Sequence, residues 1–257
     1  MRGRALGDGP LWELPAAGGW PGLEAAVLLL PGLGGDVGDF SLWPRHLAPE
    51  LRPLTARYPG RGTGTGAEPA AGPGPDLVAF AAELADSVLL HTAEPLLILG
   101  HSLGALLGYE VAWHLQQRRR PALALHVCAA FSPSEYASFD LNSGAMTDGS
   151  LVALTESLAI PLPGGTDTPE RGAVLRAVRA DLALIDAYTY GPRPRPLAYP
   201  ITVWSARDDA IIPVASARRW QPMTHHTLTH HTLPVPHHCV SSPRAIGPIT
   251  GALRDSL

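Results

Sequence analysis

Short apolar runs alternate with longer amphipathic segments along most of this chain. Segments that resemble buried strands lie near residues 26–30, 52–58, 96–99, 123–131, 200–205 and 229–235. Several are separated by stretches whose apolar residues recur at helical spacing, most clearly residues 77–91 and 105–120. Strand and helix alternating in this way predict a parallel sheet with helices on both faces.

The alternation is interrupted in three places. Residues 1–25 are rich in Gly and Pro and predict a loose lead-in, and residues 60–75 predict a surface loop. Residues 132–190, called the helical insertion below, contain no strand-like run. They predict two helices, near residues 151–158 and 170–190, joined by a Pro/Gly-rich linker. We expect this insertion to lie over the functional site as a lid; the alternative is a packing subdomain without a functional role.

The strand at residues 96–99 runs directly into Gly100-His101-Ser102-Leu103-Gly104, and a helix follows. A serine on so sharp a turn needs flanking glycines, because a side chain there would collide with the strand or the helix. This pattern is the G-x-S-x-G nucleophile elbow of the α/β-hydrolase fold. The pentapeptide alone is weakly specific and also fits a plain Gly-rich turn. The strand before it and the helix after it favour a catalytic Ser102.

A serine hydroxyl is a weak nucleophile at neutral pH, so it needs a base and an acid that orients the base. In this fold the acid and then the base follow the serine along the chain. Asp208 and Asp209 come after the strand at residues 200–205, and Asp-x-x-Ile-Pro from Asp209 resembles the usual acid loop of the fold. Asp209 is therefore the predicted acid. After the last strand, His237 and His238 stand side by side as candidates for the base.

The segment Pro31-Gly32-Leu33-Gly34-Gly35 follows the first predicted strand of the alternation and is called the oxyanion loop below. It lacks the Lys-Ser/Thr pair of a phosphate-binding P-loop. A backbone N–H from such a loop, here that of Leu33, can stabilise a developing oxyanion together with the N–H of the residue after the nucleophile, Leu103.

Histidine pairs at residues 225–226 and 230–231 raise the alternative of a metal site. Zinc ligands usually include a carboxylate or a thiolate in fixed geometry. We expect these pairs to be exposed and the protein to bind no metal. His101, within the elbow, is interpreted as structural.

Composition narrows the class of protein. Charged residues make up 16% of the 257 residues and the net charge is −4, which argues against a nucleic-acid-binding protein. The two cysteines, Cys128 and Cys239, are too few for a disulfide framework. No apolar run approaches the roughly 20 residues that span a bilayer. We therefore expect a cytoplasmic protein that is not bound to membranes.

These segments together resemble the type II (editing) thioesterases that accompany polyketide and nonribosomal peptide synthases. The likeness runs from about Val27 to the C-terminus. Its most specific parts are Tyr58-Pro59-Gly60-Arg61-Gly62, similar to the Y-P-G-R motif of the family, and Arg179-Ala180-Asp181, similar to an R-A-D helix. From the residues alone, we interpret Arg179 and Asp181 as a structural ion pair or a solvated face.

The chain departs from the family at two points. Ser205-Ala206 stands where the family usually has Gly-Gly, and Pro234-Val235-Pro236-His237 stands where it usually has P-G-G-H. Simple spacing in this comparison favours His237 as the base, whereas a shortened loop would make it His238. Replacing flexible glycines by Val and Pro stiffens the loop, so the resemblance leaves room for a changed activity.

The resemblance implies a monomeric serine hydrolase without a cofactor that removes acyl groups from the phosphopantetheine thiol of an acyl or peptidyl carrier protein. Its role would be to clear stalled chains. It implies one α/β-hydrolase domain, with a core of about residues 26–131 and 200–257 around the helical insertion. The alternatives are a discrete chain-releasing thioesterase or cyclase of such a pathway, a generic carboxylesterase, and a non-catalytic binding module.

Overall fold

The computed structural model describes residues 3–15, 19–59, 61, 76–165, 168–191 and 196–257. Its strands are β1 (Arg4–Ala5), β2 (Leu11–Glu13), β3 (Ala25–Leu30), β4 (Leu51–Ala56), β5 (Leu96–His101), β6 (Ala124–Cys128), β7 (Ile201–Ala206) and β8 (Leu228–Leu233). They form one eight-stranded sheet in the order β1-β2-β4-β3-β5-β6-β7-β8. Strands β3 to β8 pair in parallel, whereas β1 and β2 are antiparallel to their neighbours.

The helices are α1 (Pro44–Leu47), α2 (Leu77–His91), α3 (Leu103–Gln117), α4 (Pro133–Tyr136), α5 (Asp148–Ser157), α6 (Pro169–Asp186) and α7 (Pro243–Arg254). Helix α2 begins where the Asp76 carboxylate accepts a hydrogen bond from the Val78 N–H at 2.8 Å, a typical N-terminal cap. Its buried residues recur every three or four positions and form one stripe (Leu77, Phe80, Ala81, Leu84 and Val88).

The central strands are buried on both faces. In β3, Leu28 and Leu30 pack into one core cluster, together with apolar residues of α2 and α3, while Val27 and Leu29 pack into another that contains apolar residues of α7. Such near-continuous apolar strands are expected when helices cover both faces of a parallel sheet. The predicted α/β-hydrolase fold, a mostly parallel sheet with helices on both faces and a helical insertion, is confirmed.

The prediction of a loose lead-in over residues 1–25 is wrong for its described part. Strand β2 pairs with β4, with Leu11 opposite Ala56, and β1 pairs with β2 to form the edge of the sheet. Leu11 is fully buried, and the Arg57 guanidinium lies 4.0 Å from the centre of the Trp12 ring. Strands of two or three residues carry almost no periodic signal, so it is the exposed edge of β4 that determines this pairing.

The helical insertion connects β6 to β7 and contains α4, α5 and α6; its described residues form no strand. Helices α5 and α6 bury apolar side chains, including Leu151, Val178 and Leu182, within the cluster that covers one face of the sheet. Of the predicted surface loop at residues 60–75, only Arg61 lies within the described residues. Among the helices of the described ranges, none combines the length and apolarity required to cross a membrane.

Candidate active site

Ser102 occupies the sharp turn between β5 and α3. Its backbone has φ 52° and ψ −120°, a conformation that non-glycine residues rarely adopt. A Cβ atom at Gly100 would lie 2.2 Å from the Gly104 carbonyl oxygen, and one at Gly104 would lie 2.2 Å from that of Leu30. Gly100 is therefore required for β5 and α3 to approach each other this closely, and Gly104 for α3 to approach the end of β3. The Ser102 N–H donates to the Cys128 carbonyl oxygen at 2.9 Å, which anchors the turn to the neighbouring strand.

Asp209 and His237 are brought together by the loops that follow β7 and β8. The distance between Asp209 Oδ2 and His237 Nδ1 is 2.6 Å, and both side chains are buried. Asp209 Oδ1 accepts the N–H groups of Ile211 at 2.8 Å and of Ile212 at 3.1 Å. Burial acts to raise the pKa of Asp209, but the His237 interaction and the two N–H donors outweigh it and hold the pKa below its usual value. The carboxylate is therefore ionised and fixed in orientation.

The alternative residues lie outside this pair. Asp208 is exposed, and its carboxylate is 3.5 Å from the guanidinium of Arg207. His238 is half-buried, with its ring edge-on to that of His101 at 5.3 Å between ring centres. Burial and the neighbouring His237 lower the pKa of His238. Of the two adjacent histidines, the structure joins only His237 to an acid within the described residues.

His101 connects the elbow to the loop that carries His237. Its Nε2 lies 2.9 Å from the His237 carbonyl oxygen, and its ring is buried. Burial lowers the pKa of His101 well below its usual value, so the ring is neutral and Nε2–H donates to the carbonyl. The interpretation of His101 as structural agrees with this geometry.

The oxyanion loop has most of its polar groups engaged. The Gly35 N–H donates to the Gly32 carbonyl oxygen at 3.0 Å, and the Gly34 N–H donates to Asp181 Oδ2 at 2.8 Å. Among the described residues, no acceptor is bonded to the Leu33 N–H. Leu103 is the first residue of α3, where the N–H has no partner within the helix. These two N–H groups are the donors that sequence reasoning selects for the oxyanion hole.

A cavity of about 140 Å³ joins these parts. Ser102 and His237 line it together with Leu33 and Leu103. The helical insertion supplies most of the remaining wall, with side chains that are almost all apolar (Tyr136, Phe139, Leu141, Met146, Leu154, Leu158, Leu182 and Ile185). The site therefore places a hydroxyl and an imidazole at one end of an apolar chamber, an arrangement suited to an acyl group with a reactive carbonyl.

Tyr136 lines this cavity, and sequence reasoning missed it. It closes α4, whose start at Ser132 is held by a capping box with Glu135. Burial raises the pKa of the Tyr136 phenol, and the nearby Ser102 side chain acts in the opposite direction. The Ser-x-x-Glu spacing is the only sequence signal for this short helix, and it does not indicate where the tyrosine points.

The interpretation of Arg179 and Asp181 as a mutual pair or a solvated face is wrong. Asp181 is fully buried and pairs with Arg61 across the fold, while Arg179 pairs with Asp148 at 2.8 Å. Residues two apart on a helix point to different sides, so these two side chains do not meet. The available signal for this pair was that one motif contains a cation, Arg61, and the other an anion, Asp181.

The remaining histidine pairs lie on and just before β8 and are exposed. His230 Nε2 is 2.9 Å from Ser205 Oγ, and the His231 ring stacks on Trp204 at 4.4 Å between ring centres. No three His, Cys, Asp or Glu side chains of the described residues are grouped closely enough to hold a metal ion.

Residues 25–247 match a family model described as "Thioesterase domain". Among curated proteins, the AMB antimetabolite synthetase AmbE of Pseudomonas aeruginosa is 31% identical over 82% of this chain, which corresponds to 10% of that protein. A probable cadicidin biosynthesis thioesterase of Streptomyces griseus is 29% identical over 77% of this chain and 53% of its own length. The chain thus spans a tenth and about half of these two relatives.

Two solved structures are similar over nearly the whole chain. RedJ, a thioesterase from the prodiginine biosynthetic pathway in Streptomyces coelicolor, is 28% identical with a TM-score of 0.78, covering 95% of this chain and 90% of its own. BorB, a type II thioesterase from the borrelidin biosynthetic cluster, is 24% identical with a TM-score of 0.82, covering 98% and 99%. Because BorB is only 24% identical to this chain, its similarity supports the fold alone.

Proposed function

The chain belongs to the thioesterase domain family, and we propose that it is a serine thioesterase that hydrolyses acyl groups from the phosphopantetheine thiol of carrier proteins. The observation that carries this proposal is the 2.6 Å contact between Asp209 and His237, together with the cavity that His237 shares with Ser102. The family match supports thioester chemistry, and the names of the cadicidin and prodiginine thioesterases support a role in natural-product biosynthesis.

In the proposed mechanism, Ser102 Oγ attacks the thioester carbonyl carbon while its proton passes to His237 Nε2. Asp209 holds the other ring nitrogen and stabilises the imidazolium. The N–H groups of Leu33 and Leu103 donate to the oxyanion of the tetrahedral intermediate. Collapse of the intermediate breaks the C–S bond, and the thiolate takes the proton from His237. Water then attacks the carbonyl carbon of the acyl-serine while its proton passes to His237. The second tetrahedral intermediate collapses by breaking the C–O bond to Ser102 Oγ, which takes the proton back from His237, and the carboxylic acid is released.

The helical insertion acts as a lid in this proposal. Its apolar side chains would form the wall of the acyl pocket, and the carrier's pantetheine arm would deliver the thioester past it. A hydrophobic wall discriminates weakly, by about 1–3 kcal/mol per methylene. A range of short acyl groups should therefore be accepted, which suits an enzyme that clears stalled chains.

The test presents one acyl group on three thiols: an acyl carrier protein, coenzyme A and N-acetylcysteamine. We expect the highest kcat/KM with the carrier protein, because it adds contacts outside the pocket. The variant Ser102→Ala serves as the control for turnover at this site. Mass spectrometry of a panel of acyl-loaded carriers then reports which chains are removed.

Three other results of this test would each favour a different function. Equal kcat/KM on all three thiols would remove carrier recognition and favour a generic carboxylesterase. A strong preference for one long, complete chain, or a cyclic product, would make this a chain-releasing enzyme. Absence of turnover together with absence of labelling by a fluorophosphonate would favour a non-catalytic binding module.

A further inference from the structure

A second buried polar cluster, separate from the Asp209–His237 pair, joins the helical insertion to the oxyanion loop. Asp181 lies in α6 and its side chain is fully buried. The Arg61 guanidinium, 8% exposed, binds it through two bonds, Nη1 to Oδ1 at 3.0 Å and Nη2 to Oδ2 at 2.5 Å. This fork geometry fixes both side chains relative to each other.

The same two side chains hold the oxyanion loop. Asp181 Oδ2 accepts the Gly34 N–H at 2.8 Å, and Arg61 Nε donates to the Gly35 carbonyl oxygen at 3.1 Å. Arg61 also donates to the Ala177 carbonyl oxygen of α6 at 3.3 Å. With the Gly34 N–H turned towards Asp181, the plane of the peptide bond that joins residues 33 and 34 is set. The orientation of the adjacent Leu33 N–H depends on this arrangement.

Helix α6 also touches the loop directly. A Cβ atom at Gly34 would lie 2.6 Å from Val178 Cγ2, so the helix packs against the backbone of the loop. Leu182, one turn further along α6, lines the cavity with Leu33 and Ser102. Any movement of α6 that opened the cavity would therefore also withdraw the Asp181 carboxylate from Gly34.

A buried ion pair is a weak source of stability, because desolvation of the two charges offsets much of their attraction. Burial acts to raise the pKa of Asp181, and Arg61 and the Gly34 N–H oppose it. All the hydrogen-bond partners of the Asp181 carboxylate in the described residues lie on the oxyanion loop or are Arg61. Such a concentration of contacts indicates a role in placing the loop.

We propose that Arg61 and Asp181 are positioning residues that couple the docking of α6 to the oxyanion hole, so that the hole is complete only when the helical insertion is closed. The inference rests on the proposed function, in which the Leu33 N–H stabilises the oxyanion. Its consequence is that an acyl group filling the chamber and holding α6 in place also completes the catalytic site.

The test compares Asp181→Ala and Asp181→Asn with Arg179→Ala, which removes a different ion pair of α6, to Asp148, and no contact to the oxyanion loop. Three quantities are measured: kcat and KM with butyryl-coenzyme A, and the affinity for butylboronic acid. Ser102 Oγ adds to the trigonal boron of that probe while the hydroxyl proton passes to His237, and the tetrahedral boronate places one of its oxygens in the oxyanion hole. Its affinity is read from the shift in unfolding midpoint.

We expect Asp181→Ala to lower kcat by about 100-fold with little change in KM, as loss of an oxyanion donor does, and to weaken boronate binding by a similar factor. Asp181→Asn keeps an acceptor oxygen for Gly34 and should recover about 10-fold of that loss. Arg179→Ala should stay within about 5-fold of the unmodified protein in both measurements.

If Asp181→Ala and Arg179→Ala weaken kcat and boronate binding alike, the pair is structural and the inference is wrong. If Asp181→Ala does not fold, Asp181→Asn is judged against Asp148→Asn by the same measurements, and equal losses again reject the coupling. If the unmodified protein does not hydrolyse butyryl-coenzyme A or other acyl thioesters, the proposed function fails. The boronate affinities still decide whether Asp181 orients the oxyanion loop.

Discussion

The elbow and the helical insertion form opposite walls of one cavity, but they are held in place by different forces. The elbow is positioned by backbone atoms in close contact, since Gly100 and Gly104 leave no room for even a methyl group. The insertion is positioned by apolar side chains and by the buried Arg61–Asp181 pair. Closely packed backbone atoms cannot shift without a steric clash. An element held by side-chain contacts can move away from the sheet and return at a moderate cost in free energy.

Because the elbow and the helical insertion are held in place differently, we expect them to have different roles. In the proposed mechanism the reacting groups must be held within a fraction of an ångström, which suits Ser102, Asp209 and His237 because they follow the carboxyl ends of strands β5, β7 and β8. In the proposed function, a tethered acyl group would enter the cavity past a part that moves, and the helical insertion suits that role. The elbow, with Asp209 and His237, is called the rigid wall below, and the helical insertion is called the movable wall. Changes in the rigid wall should lower kcat most.

Removing the nucleophile should have the largest effect. Ser102→Ala is expected to lower kcat for an acyl thioester by about 10⁶-fold, as loss of the serine does in other triads, with the unfolding midpoint nearly unchanged. Ser205→Ala is the matched control, because this buried serine lies near the end of β7 and its hydroxyl, among the described residues, bonds only His230. Near-normal turnover by Ser102→Ala would reject the mechanism.

The acid should rank second. Asp209→Asn is expected to lower kcat by about 10⁴-fold, because the amide favours the wrong tautomer of His237. Asp208→Asn should have little effect, since its carboxylate is exposed and faces Arg207. His237→Ala compared with His238→Ala tests the base in the same assay. The reverse ranking in either pair would show that the acid loop or the base is misassigned.

Changes in the movable wall should alter selectivity more than rate. Leu182→Ala enlarges the chamber, so the preferred acyl group should become longer, with a change of about 10-fold in relative kcat/KM for each added methylene. Leu184→Ala is the control, because this residue of α6 is equally buried but does not line the cavity. An identical shift in both variants would indicate that α6 loosens as a whole rather than shaping the pocket.

The smallest effect on turnover is expected from Asp39, which lies beside the oxyanion loop, and its replacement is expected to alter stability instead. Its Oδ2 is buried and has no hydrogen-bond partner among the described residues. Burial, followed by the nearby Asp36, raises the pKa of Asp39 to about 7, while Arg61 acts in the opposite direction. The ionised carboxylate is therefore poorly accommodated in the folded protein.

The pKa of Asp39 is higher in the folded than in the unfolded chain, where it is about 3.9. Ionisation therefore costs stability progressively from about pH 4 to pH 7, and the cost is constant above that range. Asp39→Asn should raise the unfolding midpoint by about 8 °C at pH 8 and leave it nearly unchanged at pH 4. Thermal unfolding at several pH values checks this, and a gain that is the same at all pH values would contradict it.

The sequence by itself determined those features that depend on neighbouring residues. The alternation of strand and helix predicted the sheet and its covering, because burial on both faces imposes a local pattern on strands such as β3 and β5. The elbow was predictable for the same reason, because its G-x-S-x-G pattern is contained in five consecutive residues, although the close contact that requires Gly104 is made with Leu30 of the distant strand β3. Asp209 was selected by the pattern of its own loop.

Only the tertiary structure decided which distant groups meet. His237 and His238 are adjacent, and their spacing along the chain does not determine which ring reaches Asp209; the packing of two loops does. Asp181 and Arg61 are separated by 120 positions, so no local pattern pairs them. Strand β2 forms by pairing with the free edge of β4, and β1 forms by pairing with β2. Each of these outcomes depends on where the folded chain places a partner, and periodicity and local motifs carry no information about that.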